Sequence, residues 1–224
     1  SGSDDISLAP LAARIAACQP YLPLIAVDPD ITLPGNAIPF FQAQGSSDRL
    51  AARLRAALRI RSLHATVMRR LVPATRMALS DIDTARDATV LLVGRGGAYP
   101  TLSVSLGEQA GMVGALSIEA AARHLNTRDI DGIVLGEGFS PRVVDAFLTV
   151  LAEDARFRHL PVVVTSPDLV PSYELPNLEI LTVDPAQVVA TALPLIRQHA
   201  FEAHLSRTLN SIDAEGLIDA LTRL

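Results

Sequence analysis

Apolar positions fall into short runs separated by glycine, proline and polar clusters, and these runs alternate with stretches in which apolar residues recur every three or four positions. From 88 onward the alternation is regular. Thr89-Val90-Leu91-Leu92-Val93 is an unbroken apolar run stopped by Gly94-Arg95-Gly96-Gly97, the pattern of a buried parallel strand. Tyr99 to Ala110 is predicted helical, Met112 to Leu116 is a weaker strand, and Ser117 caps an Ala-rich helix through His124. Gly132-Ile133-Val134-Leu135 forms the next strand, ended by Gly136-Glu137-Gly138. Ser140-Pro141 then opens a helix with Val143, Val144, Phe147, Leu148 and Leu151 on one face. Leu160 to Val164 and Leu178 to Val183 are two further strands. Asp184-Pro185 starts a helix whose apolar positions continue past Pro194 into Phe201, Leu205 and Leu209. Alternation of this kind predicts an α/β fold, a doubly wound parallel sheet with helices on both faces.

Residues 1–75 read as helix, strand, strand, helix: Leu8 to Cys18, Leu22 to Val27, Ala37 to Phe41, and a long Ala/Arg/Leu helix capped by Ser47-Asp48 and stopped by Pro73. Two strands are too little sheet for an independent domain. The segment is expected to pair with the later domain, with another copy of the chain, or with residues outside this sequence. The long helix carries Leu50, Leu54, Ala57, Leu58, Leu63, Val67 and Leu71, with Arg53, Arg55, Arg59 and Arg61 elsewhere on its surface. It is longer than one sheet requires, so its second half is expected to pack on another domain or a second chain.

Composition narrows the function classes. A chain of 224 residues with 49% apolar content can bury a sizeable core. The formal net charge of -5 and the lack of any basic cluster beyond Arg pairs argue against a nucleic-acid partner. No apolar run approaches the roughly 18 residues of a membrane helix, and the single Cys18 cannot form an internal disulfide, so a cytoplasmic location is the default expectation. The five histidines are scattered without the spacing of a zinc pair, and neither a metal nor a cofactor is expected. All 19 basic residues counted as Lys+Arg are arginine.

Read together, Asp131 to Pro141, continuing through Val144 to His159-Leu160-Pro161-Val162-Val163-Val164, resembles the CheY-like receiver family. The resemblance covers 86–197, and Pro23 to Arg61 is similar to a receiver's last two strands and last helix. It implies a flavodoxin-like fold. It also implies a chemistry: an acidic pair for Mg²⁺ after the first strand, a phosphoacceptor Asp after the third, a Ser/Thr after the fourth and a Lys after the fifth. Phosphoryl transfer to a carboxylate needs a hard cation and a fixed positive group to stabilise the developing charge. Gly94 and Arg95 stand where the acidic pair would be, and the acceptor position falls on Gly136 or, shifted by one, on Glu137. Thr165 or Ser166 keeps the hydroxyl, while the Lys position is Val183 or a neighbour, and the chain has no lysine. An ion pair between Arg95 and Glu137 is the sharp reading of this degenerate phosphosite, and a solvated Arg and Glu on loop tips is the bland one.

Beyond 197 the last helix continues as a connector through 212, and Asp219-Ala220-Leu221-Thr222 within 213–224 resembles the Asp-x-Leu-Thr opening of GGDEF domains, the diguanylate cyclase family. The arrangement is similar to tandem-receiver diguanylate cyclases of the PleD type. It implies a non-enzymatic pseudo-receiver that dimerises or docks a protein partner and regulates a downstream GGDEF domain. The candidate partner surface is Arg53, Leu54, Leu58, Arg61 and Val67, since receivers dimerise beside their last helix. Two alternatives stay open: a phosphorylatable receiver in the intact protein, and a small-molecule or nucleotide-binding α/β domain using the Gly94 to Gly97 loop. That loop lacks the spacing of a dinucleotide fingerprint or a P-loop. Ser166, Asp168 and His159 lack the Gly-x-Ser-x-Gly elbow of a serine hydrolase.

Overall fold

The computed structural model describes residues 8–16, 18, 21–29, 37–41, 47–71, 87–165, 175–182 and 184–222, the side chains of 8, 9, 16 and 215–222 excepted. In chain order the elements are α1 (Leu8–Ala16), β1 (Leu24–Val27), β2 (Ala37–Phe40), α2 (Ser47–Arg70), β3 (Thr89–Val93), α3 (Tyr99–Gly107), β4 (Gly111–Ala115), α4 (Ile118–Thr127), β5 (Gly132–Leu135), α5 (Pro141–Glu153), β6 (Val162–Val164), β7 (Leu178–Ile180) and α6 (Pro185–Thr222). Each predicted strand and helix falls on one of them.

The five strands from β3 to β7 form one parallel sheet in the order β4-β3-β5-β6-β7. Counted within that segment the order is 2-1-3-4-5, the flavodoxin-like doubly wound arrangement. Side chains alternate across it as a parallel sheet requires. Leu91, Val93, Ile133, Leu135, Val162 and Val164 face α4 and α5, through Ala121, Leu125, Val144, Phe147, Leu148 and Leu151. Val90, Leu92, Val134 and Val163 face α3 and the first half of α6, through Leu102, Leu106, Val188, Ala192, Leu193 and Ile196. Local signals act as read: the Ser117 hydroxyl accepts from the Ala120 N–H at the start of α4, and α5 begins with proline at its first turn.

β1 and β2 form a separate two-stranded parallel sheet. All four residues of β2 are buried, and β2 lies against α6. The later domain is therefore what the first segment pairs with. α2 also packs on α6, and its buried positions Arg53, Ala57, Ile60, His64 and Val67, followed by buried Leu71, are spaced four and three residues apart in alternation. That is the 3.5-residue period of a coiled-coil seam. Ile60, Val67 and Leu71 meet Leu205, with Tyr21, Leu63, Phe201, Leu209 and Ile212 around them. Arg59 pairs with Glu202 and Arg70 with Asp213, each across 143 positions, so the two helices run parallel with constant offset.

α6 is one helix across Pro194, and it includes the backbone of Asp219, Leu221 and Thr222. Among the described residues no helix is long and apolar enough to cross a membrane.

Candidate functional site

Parallel α/β sheets present their binding chemistry at the carboxyl ends of the strands. Here that end is built from the loops after β3 and β5. They lie back to back: the Arg95 N–H donates to the Glu137 carbonyl at 2.9 Å and the Gly136 N–H to the Val93 carbonyl at 2.7 Å, while on the other side the Gly94 N–H donates to the Ala115 carbonyl of β4 at 3.0 Å. A Cβ on Gly94 would sit 3.4 Å from both the Glu137 carbonyl oxygen and the Gly136 Cα. That is ordinary van der Waals contact; the close approach of the loops depends on Gly96, where a Cβ would collide with the Glu137 Cβ. Gly138 takes φ +102, where a side chain would be strained and would also press on Arg95.

This closure has chemical consequences. Within the Gly94 to Gly97 loop, the N–H groups of Gly94 and Arg95 are spent on carbonyls, which weighs against anion binding there. Arg95 does not ion-pair with Glu137. Its guanidinium lies 5.1 Å from the centre of the Phe139 ring and donates to the Gly138 carbonyl at 3.3 Å, so the two loops are joined by main chain and by a cation over a ring. Arg95 also acts on Glu119, whose carboxylate is held below its usual range first by its own backbone N–H, then by Ser117, with Arg95 adding to them. The Thr165 hydroxyl is buried at the end of β6 and faces the Leu135 carbonyl at 3.4 Å. Ser166, Asp168 and Val183 lie outside the described residues. Gly94, Arg95, Gly136, Glu137 and Thr165 are thus brought together, but without a carboxylate cluster: among the described residues no group of three or more His, Cys, Asp or Glu side chains could hold a metal ion.

The predicted partner surface divides. Leu54 is 46% and Leu58 55% exposed, and Arg61 is exposed with them. Arg53 and Val67 are corrected: both are buried on the opposite side of α2, in the seam toward the rest of the chain. Val67 packs in the cluster with Leu205. Arg53 donates to the Pro39 carbonyl at 2.8 Å, lies over the Phe40 ring, and reaches Glu179 of β7 at 2.7 Å, with both side chains almost wholly buried. Arg49 approaches the same carboxylate at 3.7 Å. Burial, the largest influence, lowers the Arg49 pKa, and Glu179 opposes that.

This ionic joint, together with the contact of Tyr21, His64 and Phe201, is what the sequence reading missed. Two signals pointed to it. Glu179 sits at the centre of the apolar strand Leu178-Glu179-Ile180, where a carboxylate requires a cation, and Arg53 falls at heptad spacing with Ala57, Ile60 and Val67.

No family model and no curated protein matches the sequence.

Proposed function

We propose that the chain is a non-catalytic signal-transduction module, a pseudo-receiver that works by dimerisation or protein docking and regulates a GGDEF domain in cyclic di-GMP signalling. One observation carries this reading: a sheet of order 2-1-3-4-5 ends, where phosphotransfer would occur, in Gly94, Arg95 and Gly136, whose N–H groups are bonded to the carbonyls of Ala115, Glu137 and Val93. The absence of lysine from the whole sequence supports it further, since no ammonium can approach an acceptor. The regulatory half of the reading is supported by α6, which continues beyond the sheet and carries the Asp219-Ala220-Leu221-Thr222 resemblance.

Such a module acts through its surface. Its fold has one arrangement set by packing, and a partner that prefers that arrangement draws on its binding energy to hold it. The exposed Leu54, Leu58 and Arg61 on α2 are the partner face in this reading.

Incubation with a small-molecule phosphodonor and Mg²⁺, followed by intact-mass measurement, is expected to leave the chain unmodified. A stoichiometric, Mg²⁺-dependent acyl phosphate would overturn the pseudo-receiver reading. For the regulatory half, the module placed before an active diguanylate cyclase domain is expected to change its output. The double variant Leu54→Asp, Leu58→Asp is expected to remove that change while leaving the fold intact by circular dichroism.

A further inference from the structure

His64 sits in the middle of the α2 seam, 8% exposed, among aliphatic positions. Its Nδ1 accepts the Tyr21 backbone N–H at 2.7 Å. A ring nitrogen that accepts a hydrogen bond carries no proton, so this contact requires the neutral imidazole with its hydrogen on Nε2. The ring meets Phe201 of α6 edge-on at 5.4 Å, and Tyr21 meets the same phenyl ring edge-on at 5.4 Å. Three pieces of chain therefore converge: the approach to β1, the middle of α2, and the part of α6 that has left the five-stranded sheet.

We propose that His64, Tyr21 and Phe201 form an acid-sensitive latch, which holds the β1, β2 and α2 unit on α6 only while the His64 imidazole is neutral. Protonation would turn Nδ1 into a donor facing the Tyr21 N–H, leaving two donors opposed and a charge in an apolar seam. Among the described residues no partner around it compensates. The Tyr21 phenol is pushed up to about 12 by burial and stays uncharged, and Phe201 is neutral. Among the described residues, the charged groups along the seam are Arg53, held by Glu179, Arg59 with Glu202 and Arg70 with Asp213, each pair closed on itself, and Arg61 is turned to solvent. His204 on α6 is itself held low by burial, with Arg207 adding to the effect.

The direction of the pH effect follows. Burial holds the His64 pKa below its ordinary value of 6.5. Above that range the ring is neutral whether docked or undocked, and pH has no influence through it. As pH falls through the ordinary range, the undocked state takes up a proton that the docked state refuses. Docking weakens until pH reaches the lowered value. Uptake of one proton limits the slope to about tenfold per pH unit. The latch stands independently of any link to a cyclase.

Amide exchange of the full chain, corrected for intrinsic rates, provides the test at neutral pH and one to two units lower. Protection in the second half of α2 and in 201–212 is expected to fall by up to about tenfold per pH unit, while β3 and β5 keep theirs. His64→Gln offers an acceptor oxygen to the Tyr21 N–H and does not titrate, so it is expected to keep seam protection constant. Equal loss in wild type and His64→Gln would overturn the latch, as would loss spread evenly through the sheet. Should His64→Gln not fold, the wild-type titration decides. A His64 ring signal shifting at the ordinary imidazole pH while the Tyr21 amide stays unchanged would overturn the proposal, and a depressed transition coinciding with movement of that amide supports it.

Discussion

The five-stranded sheet has helices on both faces supplied by its own segment, whereas the two-stranded sheet of β1 and β2 is followed by one helix and takes further cover from α6. Both sheets are parallel, and parallel strands must be buried on both faces. The larger sheet meets that requirement alone, with a contiguous apolar layer on each side. The smaller one is completed by an element whose first half belongs to the core of the other. That borrowing explains why the joint between them is charged. An edge strand, β7, offers Glu179, and α2 answers with Arg53, fixing orientation where apolar contact alone would slide.

The largest effect is expected from breaking the joint on one side only. Glu179→Ala leaves the Arg53 guanidinium buried without its counter-ion and should cost about 3–5 kcal/mol of docking. Proteolysis is expected to cut α2 before the five-stranded sheet yields, a sequence of cleavage that limited digestion would reveal. Replacing both partners, with Arg53→Met and Glu179→Leu, should restore most of that stability, because the desolvation of two charges disappears with their attraction. Urea melts of the single and double variants measure the difference.

A cut into the self-sufficient sheet should behave otherwise. Leu148→Ala removes a fully buried side chain between α5 and the strands and is expected to cost about 2–5 kcal/mol, in one transition that takes both regions together. If α2 survived that transition, the dependence described above would be reversed. Gly138→Ala, at φ +102 and against Arg95, should cost about 1–3 kcal/mol without loosening α2, read as a lowered midpoint with an unchanged proteolytic pattern. The smallest effect belongs to Arg59→Ala. Its pair with Glu202 is partly exposed, so about 0.5 kcal/mol is expected, diminishing as salt is raised.

The same contrast explains what could be read from the sequence. The β3 to β7 segment was legible almost throughout, because buried parallel strands are continuous apolar runs and their ends carry Gly94, Gly136 and Ser117 as punctuation. α2 was legible as a helix but its inward face was not. Leu54 and Leu58 drew the apolar face toward the side that proves exposed, while Arg53 and His64 occupy buried seam positions that hydrophobicity alone assigns to solvent. A polar residue in a seam can be identified only when its partner is known, and Glu179 lies 126 positions further along the chain than Arg53. At the carboxyl end of the larger sheet the residue types were plain, but the mutual closure of the loops was not, since it depends on main-chain bonds and side-chain identity hardly encodes those.

The constant offset between α2 and α6 restricts how any message could travel along them. α6 has 38 residues and spans about 57 Å at 1.5 Å per residue; α2 has 24 and spans about 36 Å. Two helices meshed at the 3.5-residue repeat resist sliding by fractions of a turn, since each seam side chain would leave its hole before reaching the next. The available displacement is a whole turn of about 5.4 Å, at which Arg59 and Arg70 would both release their acids together. Any sliding of one helix along the other would therefore go by whole turns.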